Sequence, residues 1–140
     1  MRKNIFILLL SFIVLASFTR KGGHETAAKP AITFESMVHD FGSLKQDEIS
    51  ACTFKYKNTG NAPLIITEVE KPCGCTIPEW DKAPLMPGKT AEIKVRFSPK
   101  EQPKGVFRKT LNVYSNIQQD RNPILMIKGT IVKGKVGKQK

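Results

Sequence analysis

Cys73-Gly74-Cys75-Thr76, directly after Pro72, is the one stretch of this sequence whose residue types and spacing could carry reactive chemistry. Two thiols at i and i+2 can close a disulfide, exchange with other thiols, or hold a soft metal ion. In extended strand such a pair points to one face and is too far apart for easy bridging, but Gly74 lets the backbone kink enough to bring the sulfurs together. A third cysteine, Cys52, makes three pairings possible: Cys73 with Cys75, Cys52 with Cys73, or Cys52 with Cys75. A bridge from Cys52 would close a loop of about twenty residues and contribute roughly 3 kcal/mol in the chain-entropy treatment. Thiol exchange would need a lowered thiol pKa, for which Lys71 is near in sequence but no helix N-terminus is available. Two thiolates suit Cu(I) or Zn(II), yet a closed zinc site takes four ligands and only His24 and His39 exist to join the cysteines. Cys73, Cys75 and Cys52 are therefore the candidate residues, with staple, exchange site and metal site all open.

Other catalytic constellations fail on inventory. With two histidines and no G-x-S-x-G, H-E-x-x-H or phosphate-cradling glycine loop, hydrolytic and nucleotide-dependent mechanisms have no parts. Glu35, Glu48, Glu68, Glu70 and Glu79 are scattered among lysines, as solvated strand faces are. Neither an enzyme nor a cofactor is expected.

The first eighteen residues set the compartment. Arg2 and Lys3 precede a run from Ile5 to Ala16 that is apolar except for Ser11, which is the n-region and h-region of a secretory signal. The run ends before Arg20 and Lys21, short of the roughly 20 apolar residues a spanning helix needs. Cleavage after Ala16 is expected, with an uncleaved N-terminal anchor as the alternative, and export to the periplasm or cell surface follows from either. No cysteine follows the run to accept a lipid. Residues 19–30 read as a polar linker, 31–132 as one domain, and 133–140, where lysine alternates with glycine, as a basic disordered tail. The net charge of +11 becomes +9 once Arg2 and Lys3 leave with the signal. Such a tail can attract anionic lipid or polysaccharide. Nucleic acid is not an expected partner, because export separates the two.

Within the domain the apolar period is two. Ala91, Ile93, Val95 and Phe97 alternate with Glu92, Lys94 and Arg96; Cys52, Phe54 and Tyr56 alternate with Thr53, Lys55 and Lys57; Leu111, Val113 and Ser115 alternate with Thr110, Asn112 and Tyr114. Pro63 to Val69, Ala31 to Phe34 and Ile124 to Ile131 add three more strands, and no amphipathic helix is visible after the signal. Turn residues at Asn58 to Pro63, Met86 to Lys89 and Ser98 to Gly105 separate them. The pattern predicts an all-β immunoglobulin-like sandwich of about seven strands. The antibody-type bridge is missing, since the strand around Leu111 to Ser115 that would partner Cys52 has no cysteine. Trp80 is expected in a proline-rich loop from Thr76 to Pro87, and His39 beside Asp40 at a turn or edge.

Asp40-Phe41-Gly42, Phe54 to Gly60 with its Asn58-Thr59-Gly60 turn, Pro63 to Ile66, Cys73 to Thr76, Pro87-Gly88, Ile93 to Phe97, Lys109-Thr110, Ser115-Asn116 and Leu125 to Gly129 resemble, in order, the bacterial domain of unknown function 1573. The resemblance runs from about Ile32 to Val132. It implies an immunoglobulin-like sandwich akin to Hydin-type and major-sperm-protein domains, usually exported and common in Bacteroidetes-like bacteria, and it implies no activity. Two departures are Asp47, where that family tends to have glycine, and the additional Cys52. The resulting expectation is an exported, non-catalytic binding or structural module of the cell envelope whose partner is an envelope protein or polysaccharide. The alternative is a thiol-redox or copper-handling protein centred on Cys73 and Cys75. No oligomeric state follows from the residues.

Overall fold

The computed structural model describes residues 27–118 and 122–134. The signal segment 1–18, His24 with most of the linker, and residues 135–140 of the tail lie outside the described residues. Eight strands are present: β1 (Ile32–Phe34), β2 (Val38–Lys45), β3 (Ser50–Asn58), β4 (Ile66–Glu70), β5 (Thr76–Trp80), β6 (Thr90–Phe97), β7 (Gly105–Ser115) and β8 (Ile124–Val132). They form two four-stranded sheets, ordered β1-β3-β6-β5 and β2-β8-β7-β4. The protein is an all-β, immunoglobulin-like sandwich.

Alternation decides which face each strand buries. On β6, Ile93, Val95 and Phe97 are fully buried while Glu92, Lys94 and Arg96 stay in water. On β3, Cys52, Phe54 and Tyr56 face inward in register with Val95, Ile93 and Ala91. Leu111 and Val113 of β7 and Leu125, Ile127 and Ile131 of β8 supply the opposing layer. The chain changes sheet between β1 and β2: β1 pairs antiparallel with β3, whereas β2 pairs parallel with β8.

Two strands were not visible in the sequence, for separable reasons. In β2 the register shifts between Asp40 and Ser43, so alternation breaks in mid-strand. Gly42 sits at the break with φ +63°, and its N–H donates to Asp40 Oδ1 at 2.8 Å. That N–H and the Lys128 ammonium, 3.3 Å from Asp40 Oδ2, hold the Asp40 carboxyl below the usual carboxylate range. In β5 the disguise is Pro78, which a central strand would exclude but an edge strand tolerates. Trp80 therefore ends a strand and does not lie in a loop. Its ring is half-buried against the core, and its Nε1–H donates to the Ile66 carbonyl of the other sheet at 3.2 Å. Asp47 occupies a turn in which the Glu48 N–H donates to the Lys45 carbonyl, and among the described residues none but glycines has positive φ, so this turn does not need a glycine at Asp47.

Candidate functional site: the Cys73–Cys75 loop

The chain leaves β4 at Glu70 and enters β5 at Thr76, and the tetrad fills the connection. The sulfurs of Cys73 and Cys75 are joined, with their Cα atoms 5.2 Å apart. Two residues of extended strand would span roughly 6.6–6.8 Å, so the backbone is contracted here, as Gly74 allows. Two hydrogen bonds hold the loop: the Thr76 N–H donates to the Cys73 carbonyl at 3.3 Å, and the Ser98 N–H donates to the Cys75 carbonyl at 2.9 Å.

Thr76 itself is fully buried, and its Oγ1 lies 3.6 Å from Cys73 Sγ and 3.7 Å from Cys75 Sγ. A disulfide has no S–H, so the hydroxyl is the donor to both sulfurs. Cys73, Gly74 and Cys75 line a shallow depression of about 390 Å³ with Ser98, Lys100, Glu101 and Gln102, and of the two cysteines it is Cys75 that also packs against the core cluster. A second depression, of about 430 Å³, lies beside Trp80 between Asp81, Glu92 and Lys94. It holds charged, exposed side chains and no nucleophile.

Cys52 is not part of this loop. It sits on β3, and β6 separates β3 from β5. Two strand spacings, about 9.6 Å, exceed the roughly 7 Å beyond which Cα atoms cannot be bridged without moving the backbone. Pairing with Cys52 would have constrained the unfolded chain most. The pairing present closes a separation of two residues and contributes about 1.5 kcal/mol in the chain-entropy treatment, half of what a twenty-residue loop would give. As a staple, this disulfide is the weakest choice.

Burial pushes the Cys52 thiol up to about 11 from 9.0. A buried neutral thiol is inert. Cys52 is therefore expected to resist iodoacetamide at about pH 8 in the folded protein. Between pH 9.0 and about 11 the unfolded thiol loses its proton first, so the native state binds more protons and stability falls as pH rises. The loss is on the order of 2 kcal/mol, and Cys52→Ala should remove that part of the slope in urea unfolding curves. Labelling of Cys52 as fast as in the denatured chain would contradict this placement.

His39 lies on β2 in the other sheet, edge-on to Phe41 with centroids 4.6 Å apart. Among the described residues no three histidine, cysteine, aspartate or glutamate side chains converge on one point. Of the candidate metal ligands, Cys73 and Cys75 are together in the loop, Cys52 and His39 lie apart from them on β3 and β2, and His24 lies outside the described residues. Nothing in the residue types gives the Thr76 hydroxyl a part, and Lys100 to Gln102 read only as part of the turn from Ser98 to Gly105. Only strand order brings that segment beside the cysteines.

A family described as "Protein of unknown function (DUF1573)" matches residues 32–131. The chain belongs to this DUF1573 family. Its match takes in all eight strands except the last residue of β8. No curated protein matches the chain. Among solved structures, the DUF1573 domain is similar to a protein of unknown function from Porphyromonas gingivalis, with TM-score 0.66 and 18% identity over 79% of this chain and 51% of that one. The chain thus spans about half the length of that protein. It is also similar to the seventh ASH/PapD-like domain of human CEP192, with TM-score 0.62 and 8% identity over 76% and 89% of the two chains. A family 123 glycoside hydrolase from Clostridium perfringens aligns with TM-score 0.56 and 6% identity over 76% of this chain and 27% of that one. At these identities the likeness is one of fold.

Proposed function

We propose that this DUF1573 protein is an exported module of the cell envelope that works by association with another envelope protein through a free strand edge, without catalysis. The observation that supports this reading is the unequal protection of its four sheet edges. β1 is three residues long, β5 carries Pro78, and β4 pairs irregularly and presents Glu68 and Glu70. Short edges, prolines and charges are the usual means of discouraging strand addition. β2 is eight residues long; it too carries a register shift, between Asp40 and Ser43, and the charges of Asp40 and Lys45, but Val38 to Asp40 pair regularly, and Met37 and Val38, just before and at its start, are 40% and 47% exposed. Val38 is in register with Met126, and alternation puts Ile124, 50% exposed, on the same outer face. An extended segment laid along β2 would find backbone partners and a strip of apolar side chains. In the free protein Ser36 Oγ donates to the Val38 carbonyl at 2.9 Å and accepts from the Val38 N–H at 3.3 Å, so the edge is capped until that hydroxyl is displaced.

The basic tail adds attraction to anionic lipid or polysaccharide at the envelope surface. The test is affinity capture from an envelope extract with the full chain as bait. A specific protein should be retained by the wild type and equally by a variant carrying Cys73→Ser and Cys75→Ser. Val38→Lys combined with Met37→Lys should weaken its retention at least about tenfold, the effect of roughly 1.4 kcal/mol. Retention untouched by the edge substitutions, or abolished by the serine pair, would overturn the proposal.

A further inference from the structure

We infer that the Cys73–Cys75 disulfide is an exchange site for protein thiols, with Cys73 as the sulfur attacked and Thr76 as the group that stabilises the thiolate released from Cys75. The inference goes beyond strand-edge association and does not rest on it.

Four observations converge. The disulfide is the pairing of the three cysteines that constrains the unfolded chain least, so fold stability explains it poorly. Its two sulfurs are unequal, because Cys75 packs on the core and Cys73 does not, although both residues line the depression with Ser98, Lys100, Glu101 and Gln102. An incoming thiolate therefore reaches Cys73 Sγ first. Thr76 is fully buried, and its hydroxyl lies within hydrogen-bonding range of both sulfurs. A buried hydroxyl donor at the leaving sulfur does for a thiolate what a hydrogen-bond donor does for any developing anion. Lys100 lines the same depression and brings a positive charge to it, partly offset by the neighbouring Glu101. Labile disulfides are in general the exposed ones whose reduced form is stabilised.

The step balances as follows. A thiolate of a partner dithiol attacks Cys73 Sγ; the Cys73–Cys75 bond breaks, and its electron pair leaves on Cys75 Sγ, which takes the Thr76 hydrogen bond. The partner's second thiolate then attacks its own sulfur in the mixed disulfide and releases Cys73 as thiolate. The partner dithiol is oxidised to a disulfide, the protein cystine is reduced to two thiols, and the two protons move from partner to protein. With a monothiol, two molecules take these two places.

The probe is reduced glutathione, added to the full oxidised chain, with acid quenching, alkylation and peptide mapping. One glutathione should appear on Cys73 in preference to Cys75 by about tenfold or more. Thr76→Val keeps the shape of the buried side chain and removes the hydroxyl. It should slow reduction of the disulfide about tenfold, as expected for one hydrogen bond to a charged group, while leaving the melting temperature within the spread of repeat scans. Cys73→Ser with Cys75→Ser should remain folded and take up no glutathione, because Cys52 is buried. A disulfide that survives in the folded protein until urea unfolds it overturns the inference. So does a Thr76→Val variant that exchanges at the wild-type rate, or glutathione found equally on both cysteines.

Discussion

Phe97→Ala should cost about 4 kcal/mol, because large aromatic truncations in a closed core cost 3–5 kcal/mol. Phe97 closes β6 and is fully buried. Its ring stacks on Phe107 of the opposite sheet, with centroids 4.6 Å apart and planes 20° apart, and it lies 6.3 Å from Phe41 on β2. One side chain thus joins its own strand to two strands of the opposite sheet. Such aromatic pairs add roughly 0.5–1.5 kcal/mol beyond the area they bury. A domain of about a hundred residues has roughly 5–15 kcal/mol in total, so the substitution takes between about a quarter and four-fifths of the margin. In urea the midpoint should fall with little change in slope, whereas Phe97→Leu should lose about half as much. Val106→Ser, at a side chain 80% exposed, should move the midpoint hardly at all. A loss below about 1 kcal/mol for Phe97→Ala would mean that the two sheets are not joined through this ring.

How much of this arrangement could be read from residues depends on whether the information is local. β3, β6 and the second half of β7 were legible because apolar and polar residues alternate through Cys52–Lys57, Ala91–Phe97 and Thr110–Ser115. β2 was hidden by the shift at Gly42, and β5 by a proline that is permitted only because the strand is at an edge. Whether a strand is an edge is a property of sheet order, which no window of sequence contains. The same limit applies to the cysteines. The tetrad announced its chemistry by type and spacing, but the choice among three pairings turns on β6 lying between β3 and β5. The neighbours Lys100 and Gln102 are likewise brought to the loop by the β5–β6 ladder, through the Thr76 and Phe97 register, and by nothing in their own residue types.

Asn58 shows what residue type alone conceals, and its replacement is expected to have the second-largest effect. Asn58-Thr59-Gly60 reads as a turn, and asparagine in a turn is normally a surface residue. Here Asn58 is completely buried at the end of β3. Its Nδ2 donates to the carbonyls of Ala62 and Leu85, both at 2.8 Å, and its Oδ1 accepts from the Gly60 N–H at 3.0 Å. Its own backbone is held by Gly88 and Lys89. The Leu85 carbonyl also accepts from Leu64, whose side chain is buried, so one amide ties two loops to the core. Gly60 in turn lies so close to the backbone of Lys29 and Ala31 that a Cβ would overlap it, which fixes where the chain enters the domain.

Asn58→Ala leaves the Ala62 carbonyl and the Gly60 N–H without this partner, and the Leu85 carbonyl with the Leu64 N–H alone. At 1–3 kcal/mol per stranded buried group, and with water reaching some of them, the expected loss is about 3 kcal/mol. Asn58→Asp separates hydrogen bonding from shape. The new carboxyl matches the amide in size but sets an oxygen against two carbonyl oxygens, so its ionised form is disfavoured and its folded pKa is raised. A raised acid pKa means the native state holds its proton longer than the unfolded chain. Stability is then retained below the unfolded carboxyl value and lost as pH rises through the folded one. The Asp variant should therefore come closer to wild type at about pH 4 than at pH 7, while the Ala variant shows no such convergence. Urea unfolding at both pH values measures each quantity. An Asn58→Ala variant within about 0.5 kcal/mol of wild type would show that water can take the place of the amide and that the turn holds itself.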